Sequence, residues 1–109
     1  MFTRVVKLVI SPGKEADFLH IFQNSRSAIR SFEGCRALRL YRDRKYPNIF
    51  FTYSIWESDE NLQNYRKSDL FGSTWRETKK LFADKPEAWS LDLAWDAADN
   101  EDRNDDKIC

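Results

Sequence analysis

The sequence predicts an α+β fold, a four-stranded antiparallel sheet with its helices on one face. Three observations carry this. Apolar, β-branched and aromatic runs of strand length occur in four places. Helical periodicity fills the stretches after the first and third of them. Turn and capping residues stand at the junctions. The order β-α-β-β-α-β is the split β-α-β, or ferredoxin-like, arrangement.

Each element has its own justification. "FTRVVKLVI", residues 2–10, is β-branched and polar at intervals, as a strand should be. In "SPGKEADFLH", Ser11 can cap a helix and Pro12 suits a first helical turn. Phe18, Ile21, Phe22, Ser25, Ile29 and Phe32 then recur at helical spacing, so that helix is expected to reach about Ser31, with Gly34 as the turn residue. "CRALRLYRD" is the second strand, "RKYPN" a turn and "IFFTYSIW" the third strand. Ser58 caps "DENLQNYRK", whose first-turn acids suit the positive end of the helix dipole. Ser68 offers a second cap, so the helical region is expected to break near "KSD". The continuation carries Phe71, Trp75, Thr78, Leu81 and Phe82 on one side and ends at "DKPE", where Pro86 steers Lys85 away from helical backbone. "AWSLDLAW", residues 88–95, is the fourth strand. Residues 1–95 thus form one folded domain, and 96–109 an acidic tail expected to be disordered.

Composition narrows the function. The chain has 109 residues, enough for one domain with its own core. The 18 basic residues balance the 18 acidic ones, so no overall positive field draws a nucleic-acid backbone. The basic-then-aromatic third strand is loosely similar to that of RNA-recognition motifs, but the glycines of that motif are absent. Cys35 and Cys109 are too few and too far apart for a disulfide framework or a four-ligand zinc site, and read as free thiols. The apolar N-terminal stretch is broken by Lys7 and closed by Ser-Pro-Gly, which suits neither a signal peptide nor a membrane span. A cytoplasmic protein without nucleic-acid or membrane partners is expected.

The third strand carries large apolar groups on both faces. Phe51, Tyr53 and Ile55 share one, Phe50 and Trp56 the other. In strand four, Trp89, Leu91, Leu93 and Trp95 share a face. Helices cover one side of such a sheet only, and a large exposed apolar patch is unusual on a monomer. A homodimer packed sheet to sheet is the expectation; the alternative is a monomer with a few exposed aromatics.

His20, the only histidine, falls opposite the Phe18–Phe22 stripe and reads as a solvated surface group. Histidine-dependent nucleophilic devices therefore find no support. The glycines form no phosphate loop, and the acids of "WESDEN" fit a helix start better than a carboxylate pair. The informative constellation is Trp56, Tyr65, Phe71 and Trp75. Three- and four-residue spacings place such residues on one helix face, toward the sheet. Core filling is the bland reading. Against it, Tyr and Trp carry polar atoms that need partners when buried. A broken helix containing Gly72 is also expected to leave room beneath it, and an apolar cavity with a few polar groups is the usual form of a small-molecule site.

From "FFTYSIWESDENLQNYRKSDLFGSTWRETKKLFADKPEAWSLD" the chain resembles the antibiotic biosynthesis monooxygenase family. The aromatic strand ending in Trp-Glu-Ser, the amphipathic helix, the Ser that restarts it and the closing Lys-Pro-x-Ala-Trp strand carry the resemblance, which covers residues 2 to about 95. It implies a dimeric α+β barrel and direct oxidation of anthrones, quinols or similar aromatics by dioxygen, without a bound cofactor. Such a substrate, once deprotonated, can itself pass an electron to oxygen. The protein then has to bind the ring in a dry pocket and favour the anion. Many relatives carry a histidine at the position of Tyr65 and another near Leu70; this chain has neither. The haem-degrading branch uses an Asn, a Trp and a His ligand where this chain has Val6, Tyr65 and Trp75.

The expected function is therefore cofactor-independent monooxygenation of a quinol-like or polycyclic aromatic. Tyr65 and Trp75 are the candidate catalytic residues, with Trp56 and Phe71 as ring-stacking walls. Arg39 is a candidate charge partner for an enolate, although strand parity does not give its face. The alternative is a non-catalytic ligand-binding or structural barrel dimer, which an open rather than filled cavity would disfavour.

Overall fold

A computed structural model of the chain describes residues 1–97. The elements are β1 (Phe2–Val9), α1 (Glu15–Arg30), β2 (Cys35–Arg42), β3 (Ile49–Trp56), α2 (Asp59–Arg66), α3 (Asp69–Lys79) and β4 (Glu87–Leu91). The strands form one antiparallel sheet in the order β2-β3-β1-β4, the expected ferredoxin-like topology. The expected tail lies from residue 98 onward outside the described residues, as does Cys109; Cys35 is a buried free thiol.

Local chemistry explains where the elements start. Ser11 does not cap α1. Its carbonyl instead accepts the Lys14 N–H at 2.9 Å across a turn with Pro12 and Gly13 in the middle. Gly13 has φ +94°, the left-handed value a type II turn requires after proline. α1 then starts at Glu15, whose carboxylate takes the Gly13 N–H at 2.7 Å. α2 and α3 do have the expected caps, with Ser58 accepting from Asn61 and Ser68 from Phe71.

Two elements end sooner than their patterns suggest. α3 stops at Lys79, so Leu81 and Phe82 lie beyond it. Their backbone pairs with the end of β1: Leu81 C=O accepts from Ser11, Ala83 N–H donates to Val9, and Phe82 bridges Ile10. β4 stops at Leu91, paired with Thr3, because β1 has only Phe2 left to offer. Leu93 and Trp95 are not strand residues, and are 79% and 76% exposed.

Alternation along β1 and β3 defines the two faces of the sheet. Phe50, Thr52, Ser54 and Trp56 look toward the helices, with Arg4, Val6 and Leu8 beside them. Phe51, Tyr53 and Ile55 look the other way with Val5, Trp89 and Leu91, and no helix covers them. Trp89 and Leu91 are 41% and 46% exposed there.

Candidate functional site

The side of the sheet that faces the helices holds two separate core clusters. One gathers Leu8, Ile10, Phe18 and Phe50, with Trp75, Leu81 and Phe82 packed on it. The other gathers Cys35, Trp56 and Leu62, with Phe2, Phe32 and Tyr65 packed on it. On the helix-facing side of β3 the two largest groups, Phe50 and Trp56, are fully buried and lie six residues apart. Between them on the same face are Thr52 and Ser54, which are too small to reach the helices. Opposite, α1 contributes Ser25. A cavity of about 320 Å³ occupies this gap. Small-molecule sites usually span roughly 300–1,000 Å³.

A continuous run of aromatic rings passes along one side, and its middle members, Trp56, Tyr65, Phe71 and Trp75, form a wall of the cavity. Phe32 meets Tyr65 edge-on at 5.4 Å, and Trp56 stacks on Tyr65 at 5.2 Å. Tyr65 meets Phe71 edge-on at 5.2 Å, Phe71 stacks on Trp75 at 5.6 Å, and Trp75 meets Phe82 at 5.4 Å. The break between α2 and α3 makes this run possible. Ser68 N–H and Oγ both bond back to Tyr65 C=O, turning the chain so that Tyr65 and Phe71 converge. Gly72 contributes no space: it is exposed, and a Cβ there would meet nothing. The room comes from the short side chains of β3.

Trp56, Tyr65, Phe71 and Trp75 all line the cavity, as the spacing suggested. Val6 also lines it, so the three positions matched to the haem-degrading branch converge here. Arg39 does not join them. It is exposed on the opposite face of the sheet, next to Tyr53 and Tyr41. His20 is exposed on α1, bonded to Asn24. The arginines that line the cavity are Arg4, from β1, and Arg66, from the end of α2. Parity with Val6 and Leu8 was the available signal for Arg4; nothing local marked Arg66, since tertiary packing decides which way a helix-end residue leans.

Most polar atoms of the cavity are satisfied within the protein. Trp56 Nε1 donates to Ser54 Oγ at 3.0 Å, Ser25 Oγ to Ile21 C=O at 2.9 Å, and Thr78 Oγ1 to Thr74 C=O at 2.7 Å. The Tyr65 hydroxyl has no hydrogen-bond partner among the described residues. Burial, helped by the nearby Cys35 thiol, pushes its pKa up to about 12. Tyr65 is therefore a neutral phenol at physiological pH, able to donate a hydrogen bond but not to act as a phenolate base. No three His, Cys, Asp or Glu side chains among the described residues cluster as metal ligands, and no helix there is long and apolar enough to cross a membrane.

Known proteins share this architecture. A Bordetella bronchiseptica structure with the provisional name antibiotic biosynthesis monooxygenase superposes with a TM-score of 0.78 at 22% identity, over 86% of this chain and 97% of that one. One from Caulobacter crescentus CB15, with the same provisional name, gives 0.80 at 20% identity, over 86% and 90%. Rv0793 from Mycobacterium tuberculosis gives 0.80 at 14% identity, over 89% and 98%. At these identities the likeness shows the fold. No curated protein matches the sequence. The family model for antibiotic biosynthesis monooxygenase matches residues 1–76, well over half of the 109-residue chain. The chain belongs to the antibiotic biosynthesis monooxygenase family.

Proposed function

We propose that the protein is a cofactor-independent monooxygenase that oxidises a flat, electron-rich aromatic of the anthrone or quinol type with dioxygen. The observation that carries this reading is the cavity between the two core clusters, open in volume and walled by stacked rings. Family membership supports the reaction class. For an anthrone, the methylene carbon gives up two hydrogens and gains one oxygen atom as a ketone; the second oxygen leaves as water.

The residues suit a reaction in which the substrate supplies the electrons. Trp75, Phe71 and Trp56 stack on the ring and exclude water, which keeps a bound anion from being solvated by bulk solvent. Tyr65, a neutral phenol, donates a hydrogen bond to the oxygen on which charge develops. Haem degradation fits less well. Valine stands where that branch has asparagine, and the Trp75 indole nitrogen has no lone pair to give to iron.

The reading includes a homodimer formed through the open sheet face, where Trp89 and Leu91 on β4 and Tyr41 on β2, at opposite edges of the sheet with Tyr53 and Val5 between them, are 41–49% exposed. Sedimentation equilibrium is expected to give twice the chain mass, and Trp89→Glu to reduce it to one.

Oxygen uptake by the metal-free protein with a panel of anthrones and reduced quinones tests the activity. Uptake above the uncatalysed rate, lost in a folded Trp75→Ala variant, is the expected result. Turnover that survives Trp75→Ala removes the site assignment. A cavity that binds these compounds without consuming oxygen would favour a ligand-binding barrel.

A further inference from the structure

Two arginines without carboxylate partners lie on one apolar cavity. Arg4 is half-buried on β1, facing the helices, and its one side-chain hydrogen bond is to Ser90 Oγ at 2.9 Å. Arg66 is exposed in the last turn of α2, and its one side-chain hydrogen bond among the described residues is to its helix neighbour Gln63, at 3.5 Å. Neither forms an ion pair among the described residues, where the two pairs found are Arg36–Glu57 and Lys80–Glu77.

Arg4 is partly withdrawn from water without a salt-bridging carboxylate among the described residues. A guanidinium withdrawn from water costs free energy unless a counter-charge or several acceptors replace the lost solvent. Arg4 is pulled below its usual pKa by burial first and by repulsion from Arg66 second, with Asp59 offsetting part of this. Arg66 alone would be explained by its position, since a positive charge suits the C-terminal end of a helix. Arg4 has no such explanation. Val6 and Leu8, its neighbours on the same face of β1, are apolar. An inward arginine beside a second one, both on a cavity otherwise lined by uncharged side chains, is an arrangement that a bound anion would stabilise. Guanidinium forks match carboxylates in shape as well as charge.

We propose that Arg4 and Arg66 form an anion clamp at the mouth of the cavity and that the ligand is an aromatic carboxylate, its ring against Trp75 and Phe71 and its charged end between the two guanidiniums. This rests on the cavity being a ligand site, as proposed above, but not on its consuming oxygen.

Isothermal titration calorimetry of the full chain with 2-naphthoate and its uncharged isostere 2-naphthamide tests it. The carboxylate is expected to bind about tenfold more tightly, the equivalent of roughly 1.4 kcal/mol, and to weaken with added salt while the amide does not. Arg4→Gln is expected to abolish that preference and keep the amide's affinity. Arg66→Gln, at an exposed position that folding does not depend on, is expected to reduce it. Arg44→Gln, in the β2–β3 turn, serves as a control of equal charge change and should leave it intact. Equal binding of the two probes, a preference that survives both substitutions, or no binding of either probe overturns the proposal. Because no readout requires oxygen, this result and the uptake result can fail independently.

Discussion

The Phe50 end and the middle of the layer between sheet and helices are built from the same strands but are filled differently. At the Phe50 end, Leu8, Ile10 and Phe18 close around a ring with no exposure, and Phe18 tilts onto Phe50 at 4.7 Å. Toward Trp56 the layer opens, because Thr52 and Ser54 replace what could have been large side chains. The filled end holds the fold together, and the hollow stretch is where the protein gives up packing. Interiors are normally dense, so a void of this size is a loss of contacts that a core alone would not retain.

The largest expected effect lies at the filled end. Phe50→Ala should cost about 3–5 kcal/mol in unfolding free energy by urea titration, because neighbours cannot collapse into the space. A cost below about 1 kcal/mol would mean that this end is as loosely packed as the other. Two residues along, Thr52→Leu should change stability by less than about 1 kcal/mol, since it fills existing space instead of overpacking, and should remove ligand binding and oxygen uptake. A large destabilisation would show that the gap is not available volume.

The smallest effect is at the border of the two regions. Tyr65→Phe should be nearly neutral at pH 7, because the lost hydroxyl has no hydrogen-bond partner among the described residues. At high pH the variant should differ. The folded chain keeps the Tyr65 proton up to about 12, against an ordinary value of 10.0. The unfolded chain sheds it first, so stability present below pH 10 falls as the pH rises from there toward 12. Urea midpoints measured across that range should decline less steeply in Tyr65→Phe than in the parent. Equal slopes would mean that the phenol is not desolvated.

Much of this organisation was legible before any coordinates. β-branched runs, two serine caps and helical spacing were enough to give the topology, the α2–α3 break and the grouping of Trp56, Tyr65, Phe71 and Trp75. Those signals are local: capping and periodicity act within a few residues. Local pattern and structure part where a neighbour intervenes. Ser11 has a capping side chain, but the Pro12–Gly13 turn takes its carbonyl. Leu81 and Phe82 kept the helical period, yet the end of β1 captured their backbone. Leu93 and Trp95 kept the strand period with no strand left to pair with.

The site divides along the same line. Which rings share a helix face follows from the residues alone, because 3.6-residue geometry fixes that, and so does which β3 residues share a sheet face, because strand parity fixes it. It took the packing of the elements to bring Thr52 and Ser54 into one cavity with Tyr65 and Phe71, to turn Arg39 away from it, and to put Arg4 and Arg66, 62 positions apart in sequence, on its lining. Periodicity orders residues along an element, but the packing of one element on another places them in space.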